Sequence, residues 1–289
     1  MPTAEINGIP LHYNSTGDGP MVVLVMGTGA AGRAWHLHQV GALTRAGFRA
    51  VTFDNRGVGA TRGVGPFTID DMVTDTAGLI EHLGAGPALV VGTSLGARVT
   101  TELALARPDL VRGALLMATR GRLDRTRRAA LDAEIAIRDS GVRLPAAYDA
   151  AMKALQNLSP RTLDDDRRAA DWLELFELAG DDGSGTRVQI GLGAFPDRLA
   201  AYRDVSVPCR VLGFADDLVC PPHLGREVAE AIPDCDFRLV EGCGHYGYLE
   251  RPDEVNALVL EFLAERQTTP GGVRVPAGDI RPATKEASA

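Results

Sequence analysis

The chain has 289 residues, 45% of them hydrophobic and 24% charged, with a formal net charge of −8. That length can bury the core of one large α/β domain or two ordinary ones. The acidic balance argues against a polyanionic partner such as nucleic acid, which calls for a basic stripe that the chain does not carry.

The first segments read as short apolar strands alternating with helical periodicity. "IPLHYN" and "MVVLVM" are strand-like, a helix is expected from about Gly32 to Ala46, and "FRAVTF" is the next strand. A helix over Ile69 to Leu83, the strand "ALVVGT", a helix from Ser94 to about Ala106 and the strand "VRGALLMA" follow. Most of these strands are apolar throughout, as strands covered on both faces must be. Later come "CRVLGF" and "DFRLVE", each followed by helical periodicity. The pattern predicts a doubly wound, mostly parallel α/β sheet of at least seven strands, with "IPLHYN" as an antiparallel edge strand.

Between "VRGALLMA" and "CRVLGF" the alternation fails, and residues 120–204 read as helices only. Pro145 suits a first helical position, Gly141 and Gly180 suit helix ends, and Asp164-Asp165-Asp166 suits an N-terminus. We therefore expect a core made of residues 1–119 and 205–266, interrupted by a helical cap at 120–204. Residues 267–289, rich in Pro, Gly, Ala and Thr, are expected to be a disordered tail. The first residues lack the basic and apolar regions of a secretion signal, and no apolar run approaches the ~20 residues of a membrane helix. A cytoplasmic protein without membrane contact is expected. Cys209, Cys220, Cys235 and Cys243 have no C-x-x-C spacing, so reduced thiols are expected, not a zinc site or a disulfide framework.

Two glycine motifs compete for the function. Gly27-Thr28-Gly29-Ala30-Ala31-Gly32 spells G-x-G-x-x-G after an apolar run, and Asp54 follows at ~20 residues, where a dinucleotide-binding unit keeps its ribose acid. Gly92-Thr93-Ser94-Leu95-Gly96 spells G-x-S-x-G between a buried strand and an amphipathic helix, the setting in which a serine hydroxyl projects from a strained turn. Such a serine needs a base, and the base an orienting acid. His245, in the glycine-flanked loop after "DFRLVE", is the base candidate; Asp216 lies in the loop after "CRVLGF". His36 and His38 point nearly opposite ways on a helix and form no metal pair, and His12, His82 and His223 read as packing or surface residues.

Together "MGTGA", "DNRGVGAT", "GTSLG", "GFADDLVCPP" and "GCGHYGYLERP" resemble the α/β-hydrolase superfamily, over about Glu5 to Arg266. Within it the chain is similar to small-molecule esterases, enol-lactone hydrolases, C–C bond hydrolases and proline iminopeptidases. One departure is Met26, where many members have a histidine ahead of the glycine. The resemblance implies a triad of Ser94, His245 and Asp216, the last because it precedes Val219 of a "D-x-x-V-P"-like loop, although Cys220 intervenes before Pro221. It also implies an oxyanion hole built from the backbone N–H groups of Thr28 and Leu95, and makes Asp54 and Arg56 parts of a structural loop.

The activity expected is hydrolysis of a small-molecule ester, lactone, thioester or activated C–C bond through an acyl-enzyme, with no metal or organic cofactor. The alternatives are a non-hydrolytic use of the fold (lyase, cofactor-free oxygenase or peroxidase, ligand receptor) and, remotely, an NAD(P)-dependent oxidoreductase. Arg33, Trp35, Tyr148, Trp172, Phe176 and Tyr246 are the candidate substrate contacts. The expected partner is a small molecule, with a homodimer as the one protein assembly considered.

Overall fold

A computed structural model describes residues 2–62, 65–179 and 184–266. Eight strands form one sheet: β1 (Thr3–Ile6), β2 (Ile9–Thr16), β3 (Met21–Val25), β4 (Arg49–Phe53), β5 (Ala88–Thr93), β6 (Val111–Met117), β7 (Cys209–Phe214) and β8 (Cys235–Val240). Their order is β1-β2-β4-β3-β5-β6-β7-β8. From β4 to β8 every pairing is parallel, while β1–β2 and β2–β4 are antiparallel. "IPLHYN" is thus not the edge. The short strand Thr3–Ile6 covers it, and it was missed because four residues alternating exposed and buried give little signal.

The central strands β3, β5 and β7 are buried at every position because helices cover both faces of the sheet. The helices are α1 (Gln39–Arg45), α2 (Ile69–Leu83), α3 (Leu95–Ala106), α4 (Arg125–Asp139), α5 (Ala146–Asn157), α6 (Pro160–Leu163), α7 (Asp166–Ala179), α8 (Ser184–Leu192), α9 (Leu199–Tyr202), α10 (Pro222–Ala231), α11 (Gly247–Glu250) and α12 (Pro252–Glu265). On one face α2, α3 and α10 contribute Leu79, Ile80, Val99, Leu103 and Val228 to the core. On the other, α1 and α12 contribute Val40, Leu43, Val255, Phe262 and Leu263. The expected helix from Gly32 is split into a 3-10 turn, Gly32–Leu37, and α1.

The helical insert runs from α4 to α8 and joins the parallel neighbours β6 and β7. It has its own small core of Ala150, Ala154, Leu158 and Phe176. Its helix ends follow local chemistry. Asp124 caps α4 by accepting from the Arg127 N–H at 2.8 Å, Gly141 takes φ +71° just past the end of α4, and Pro145 is the N-cap of α5. Asp165 accepts from the N–H groups of Arg167 and Arg168 at the start of α7. Gly180 and the tail 267–289 lie outside the described residues. No described helix is long and apolar enough to cross a membrane.

Candidate active site

The strand order reverses direction about β3, so β3 and β5 lie side by side with their carboxyl ends opening into the crevice where such sheets place ligands. The loop after β3 carries Thr28, and the turn after β5 carries Ser94. Ser94 is the residue between strand and helix, with φ 54° and ψ −119°, one of three described non-glycine residues at positive φ. Such a backbone costs of order 1–3 kcal/mol and persists only where the surroundings impose it. Here they do. The Ser94 N–H donates to the Met117 carbonyl at 3.0 Å, and its own carbonyl accepts from Ala97 and Arg98 to start α3.

The flanking glycines are required by space. A Cβ on Gly96 would lie 2.2 Å from the Val25 carbonyl oxygen, and one on Gly92 would lie 2.3 Å from that of Gly96. Likewise a Cβ on Gly27 would press on the Ser94 Cβ at 3.2 Å, so the Gly27-Thr28 loop passes directly beside the hydroxyl. Ser94, Thr28 and Leu95 line one cavity of about 50 Å³. Leu95 is the first residue of α3, where backbone N–H groups lack intrahelical acceptors and carry partial positive charge. The cavity's other walls are Arg98, Arg120 and Cys220, with Leu192, Gly193 and Phe195 supplied by the end of the insert.

His245 is buried, and its Nδ1 meets a carboxylate oxygen at 2.8 Å; that carboxylate belongs to Asp217, not Asp216. The correction has a local cause. The chain leaves β7 in a tight turn closed by the Asp217 N–H on the Phe214 carbonyl, which turns the side chain of Asp217 inward. Its Oδ1 then accepts from the N–H groups of Val219 and Cys220 at 2.8 and 2.7 Å, leaving Oδ2 for the imidazole. Asp216 stays half-buried, and its N–H donates to the Cys243 carbonyl. The spacing to Val219 that favoured Asp216 is one residue too long.

The G-x-G-x-x-G segment does not make a dinucleotide site. Asp54 is buried with Oδ1 accepting from the Gly32 N–H at 2.8 Å and Oδ2 from the Ala60 N–H at 2.7 Å, so both oxygens hold loops and neither is offered to a ribose. Arg56 grips the buried Asp75 with two bonds of 2.5 Å. Met26, where the resemblance leads one to expect a histidine, is buried; Asn55 donates to its carbonyl at 2.8 Å, and the Tyr248 hydroxyl reaches its sulfur at 3.9 Å.

None of the six residues expected to touch substrate lines the cavity. Trp35 is fully buried against Tyr248, with ring centroids 5.1 Å apart, because the 3-10 turn points it into the core. Arg33 and Tyr148 are exposed. Trp172, Phe176 and Tyr246 form one aromatic cluster with centroids 5.4 to 6.0 Å apart, and Tyr246 lies 5.9 Å from His245. They join the insert to the histidine loop, and desolvation pushes the Tyr246 hydroxyl up to about 12.

Three residues had gone unnoticed. Gln189 of α8, fully buried, accepts from the Gly29 N–H at 2.8 Å and donates to the Arg56 carbonyl at 3.0 Å, tying the insert to the loop of Thr28. Glu250 accepts from the N–H and hydroxyl of Ser159 and from the Gly244 N–H, tying the insert to the loop of His245. Arg98 stands four residues after Ser94 on a largely buried helix. That spacing, on one face with Ser94, was the available signal. The four thiols are free, and burial pushes Cys220 and Cys235 up to about 12 and raises Cys209 and Cys243 as well, which leaves them protonated near neutral pH.

Residues 22–258 match the family model described as "Alpha/beta hydrolase family". The chain belongs to the alpha/beta hydrolase family. Within it, the chain is 48% identical to the Mycobacterium tuberculosis protein named "Putative non-heme bromoperoxidase BpoC", over 89% of this chain and 98% of that one. The crystal structure of that protein superposes with a TM-score of 0.87, covering 90% of this chain and 97% of its own. A thermophilic esterase of Thermogutta terrifontis shares 26% identity and a TM-score of 0.75, over 90% and 95% of the two chains. The enol-lactonase of Burkholderia xenovorans LB400 shares 26% identity and a TM-score of 0.74, over 91% and 99%.

Proposed function

We propose that the protein is a serine hydrolase that cleaves a small-molecule ester, lactone, thioester or activated C–C bond through an acyl-enzyme on Ser94. The observation that carries this reading is the strained Ser94 turn sharing its cavity with Thr28 and Leu95. The Asp217–His245 pair supplies the base and its orienting acid. Asp217 Oδ2 fixes the imidazole with its proton on Nδ1, leaving Nε2 to take the proton of the Ser94 hydroxyl. Oγ then bonds to the substrate carbonyl carbon, and the oxygen gains negative charge opposite the N–H groups of Thr28 and Leu95. The carbonyl re-forms as the leaving group departs with the proton from Nε2. Water, deprotonated by the same nitrogen, releases the acid in a second cycle. Losing one oxyanion donor in such sites costs ~3 kcal/mol. A burst of 4-nitrophenol from a 4-nitrophenyl ester, abolished in Ser94→Ala, is the expected result; turnover retained in that variant contradicts the reading.

The name of the M. tuberculosis relative favours a second reading with the same nucleophile. Hydrogen peroxide in place of water would release the acyl group as a peroxy acid, which oxidises bromide to hypobromite and is itself reduced to the acid. Bromination of phenol red that requires acetate, peroxide, bromide and Ser94 together would support it. Bromination that survives Ser94→Ala would rule it out.

A further inference from the structure

Two arginines line the cavity that holds Ser94, and among the described residues neither is paired with a carboxylate. Arg98 lies one helical turn beyond Ser94 on α3, about 6 Å along the axis. One of its Nη atoms donates to the Leu192 carbonyl at 2.5 Å, its guanidinium carbon sits 4.0 Å from the centre of the Phe195 ring, and its Nε is buried without a partner. The carboxylate on its own helix face, Glu102, is already gripped by both arms of Arg198 at 2.9 and 2.7 Å and accepts from the Tyr202 hydroxyl at 3.3 Å. Arg120, just after β6, donates to the Val219 carbonyl at 2.8 Å and contacts the Cys220 sulfur at 3.7 Å.

Elsewhere in the molecule arginines close on acids with two parallel bonds, as Arg122 does on Glu227 and Arg187 on Asp139. Arg98 and Arg120 instead hold only neutral acceptors among the described residues, and both line the same cavity; burial is the main cause that lowers the Arg98 pKa, with Arg198 and Arg120 acting in the same direction and Tyr202 and Glu102 against it. Two partly desolvated cations beside a nucleophile are a standing electrostatic cost unless an anion completes them. The planar guanidinium fork matches a carboxylate.

Resting on the Ser94 reading above, we infer that the substrate is a short ester or lactone bearing a carboxylate a few atoms from the carbonyl that is attacked, held by Arg98 and Arg120. The arginines select for that group, and the small cavity limits the length of the chain between it and the reacting carbon.

The test compares kcat/KM for two matched pairs: the 4-nitrophenyl monoester of glutaric acid against 4-nitrophenyl pentanoate, and 4-acetoxybenzoate against its methyl ester. The wild type is expected to prefer the acid in at least one pair by roughly 10- to 100-fold, the range of one or two charge-assisted contacts. Arg98→Met and Arg120→Met should collapse that ratio toward one, and Arg98→Lys should restore part of it. Because Arg98→Met also loosens the contacts to Leu192 and Phe195, the reading is the ratio within each variant and not its absolute rate. Glutarate binding to Ser94→Ala, followed by calorimetry, separates the two claims. Glutarate that binds Ser94→Ala and is weakened by Arg120→Met supports the carboxylate site even if no ester is turned over, in which case the nucleophile reading fails alone. Turnover with no acid preference in either pair, and no glutarate binding, overturns the carboxylate site and leaves the nucleophile standing.

Discussion

At the residue scale the proposed orienting acid shows how finely a loop selects one carboxylate. Asp216 and Asp217 are adjacent and chemically identical, yet only Asp217 has its Oδ2 on His245 while its Oδ1 is fixed by two N–H groups. Asp217→Asn leaves a side chain that no longer fixes the imidazole in the tautomer with its proton on Nδ1, and should lower kcat by ~10⁴-fold. Asp216→Asn should cost little, because that side chain is half-buried and does not meet the imidazole. Steady-state rates with one activated ester decide it, and a larger loss at Asp216 would mean that the loop is held differently in solution. The sequence could narrow the acid to this pair but not choose within it. The choice depends on a turn closed by the Asp217 N–H on Phe214, and a turn of that kind leaves no mark in residue type. Ser94 was legible because its turn needs small neighbours, and a Cβ at Gly92 or Gly96 has nowhere to go.

At the element scale, helices were found by periodicity and their ends by caps. In α2 the Thr68 side chain accepts from the Asp71 N–H at 3.3 Å, while Asp71 accepts from the Thr68 N–H at 2.8 Å, a reciprocal cap that satisfies two otherwise unpaired donors. The bond from the Thr68 backbone, then that from its hydroxyl, holds the Asp71 carboxyl below the usual carboxylate range, with Arg56 adding to the effect. A group whose folded pKa is depressed contributes stability that is complete above its unfolded value and is lost as pH falls through the folded one. The melting temperature of the wild type should therefore fall toward that of Asp71→Asn below about pH 4, with the gap between them open at neutral pH. A gap that does not narrow on acidification would show that Asp71 acts through packing. Edge strand β1 was illegible for the converse reason: four residues, two of them exposed, stabilise it only through pairing with β2.

At the scale of the whole molecule, the sheet and its loops supply Ser94, Asp217 and His245, whereas Leu192, Gly193 and Phe195 at the end of the insert line the cavity of Ser94. The loss of strand alternation made the insert visible in the sequence. What it touches was not visible, because Leu192 and Phe195 reach the cavity, and Gln189 the Gly29 N–H, only through long-range packing. Trp172, Phe176 and Tyr246, expected to line the pocket, instead join the insert to the histidine loop. Its return to the core is anchored by Arg198, whose backbone N–H donates to the Gly121 carbonyl at 2.9 Å and whose guanidinium closes on the buried Glu102. Removing the cation strands Glu102 beside the buried Tyr202 hydroxyl, so Arg198→Ala should cost about 2 kcal/mol after allowance for the partial exposure of the arginine. Calorimetry should register a fall in melting temperature of roughly 5 °C. An unchanged midpoint would mean that water replaces the arginine without loss.

The central claim is that Ser94 is the nucleophile and that the Asp217–His245 pair activates it, which a fluorophosphonate probe tests most directly. Peptide mapping by mass spectrometry should find a single adduct on Ser94 in the wild-type protein, forming far more slowly in Asp217→Asn and in a His245→Ala variant. A protein that stays unlabelled, or an adduct on any other residue, would contradict the account.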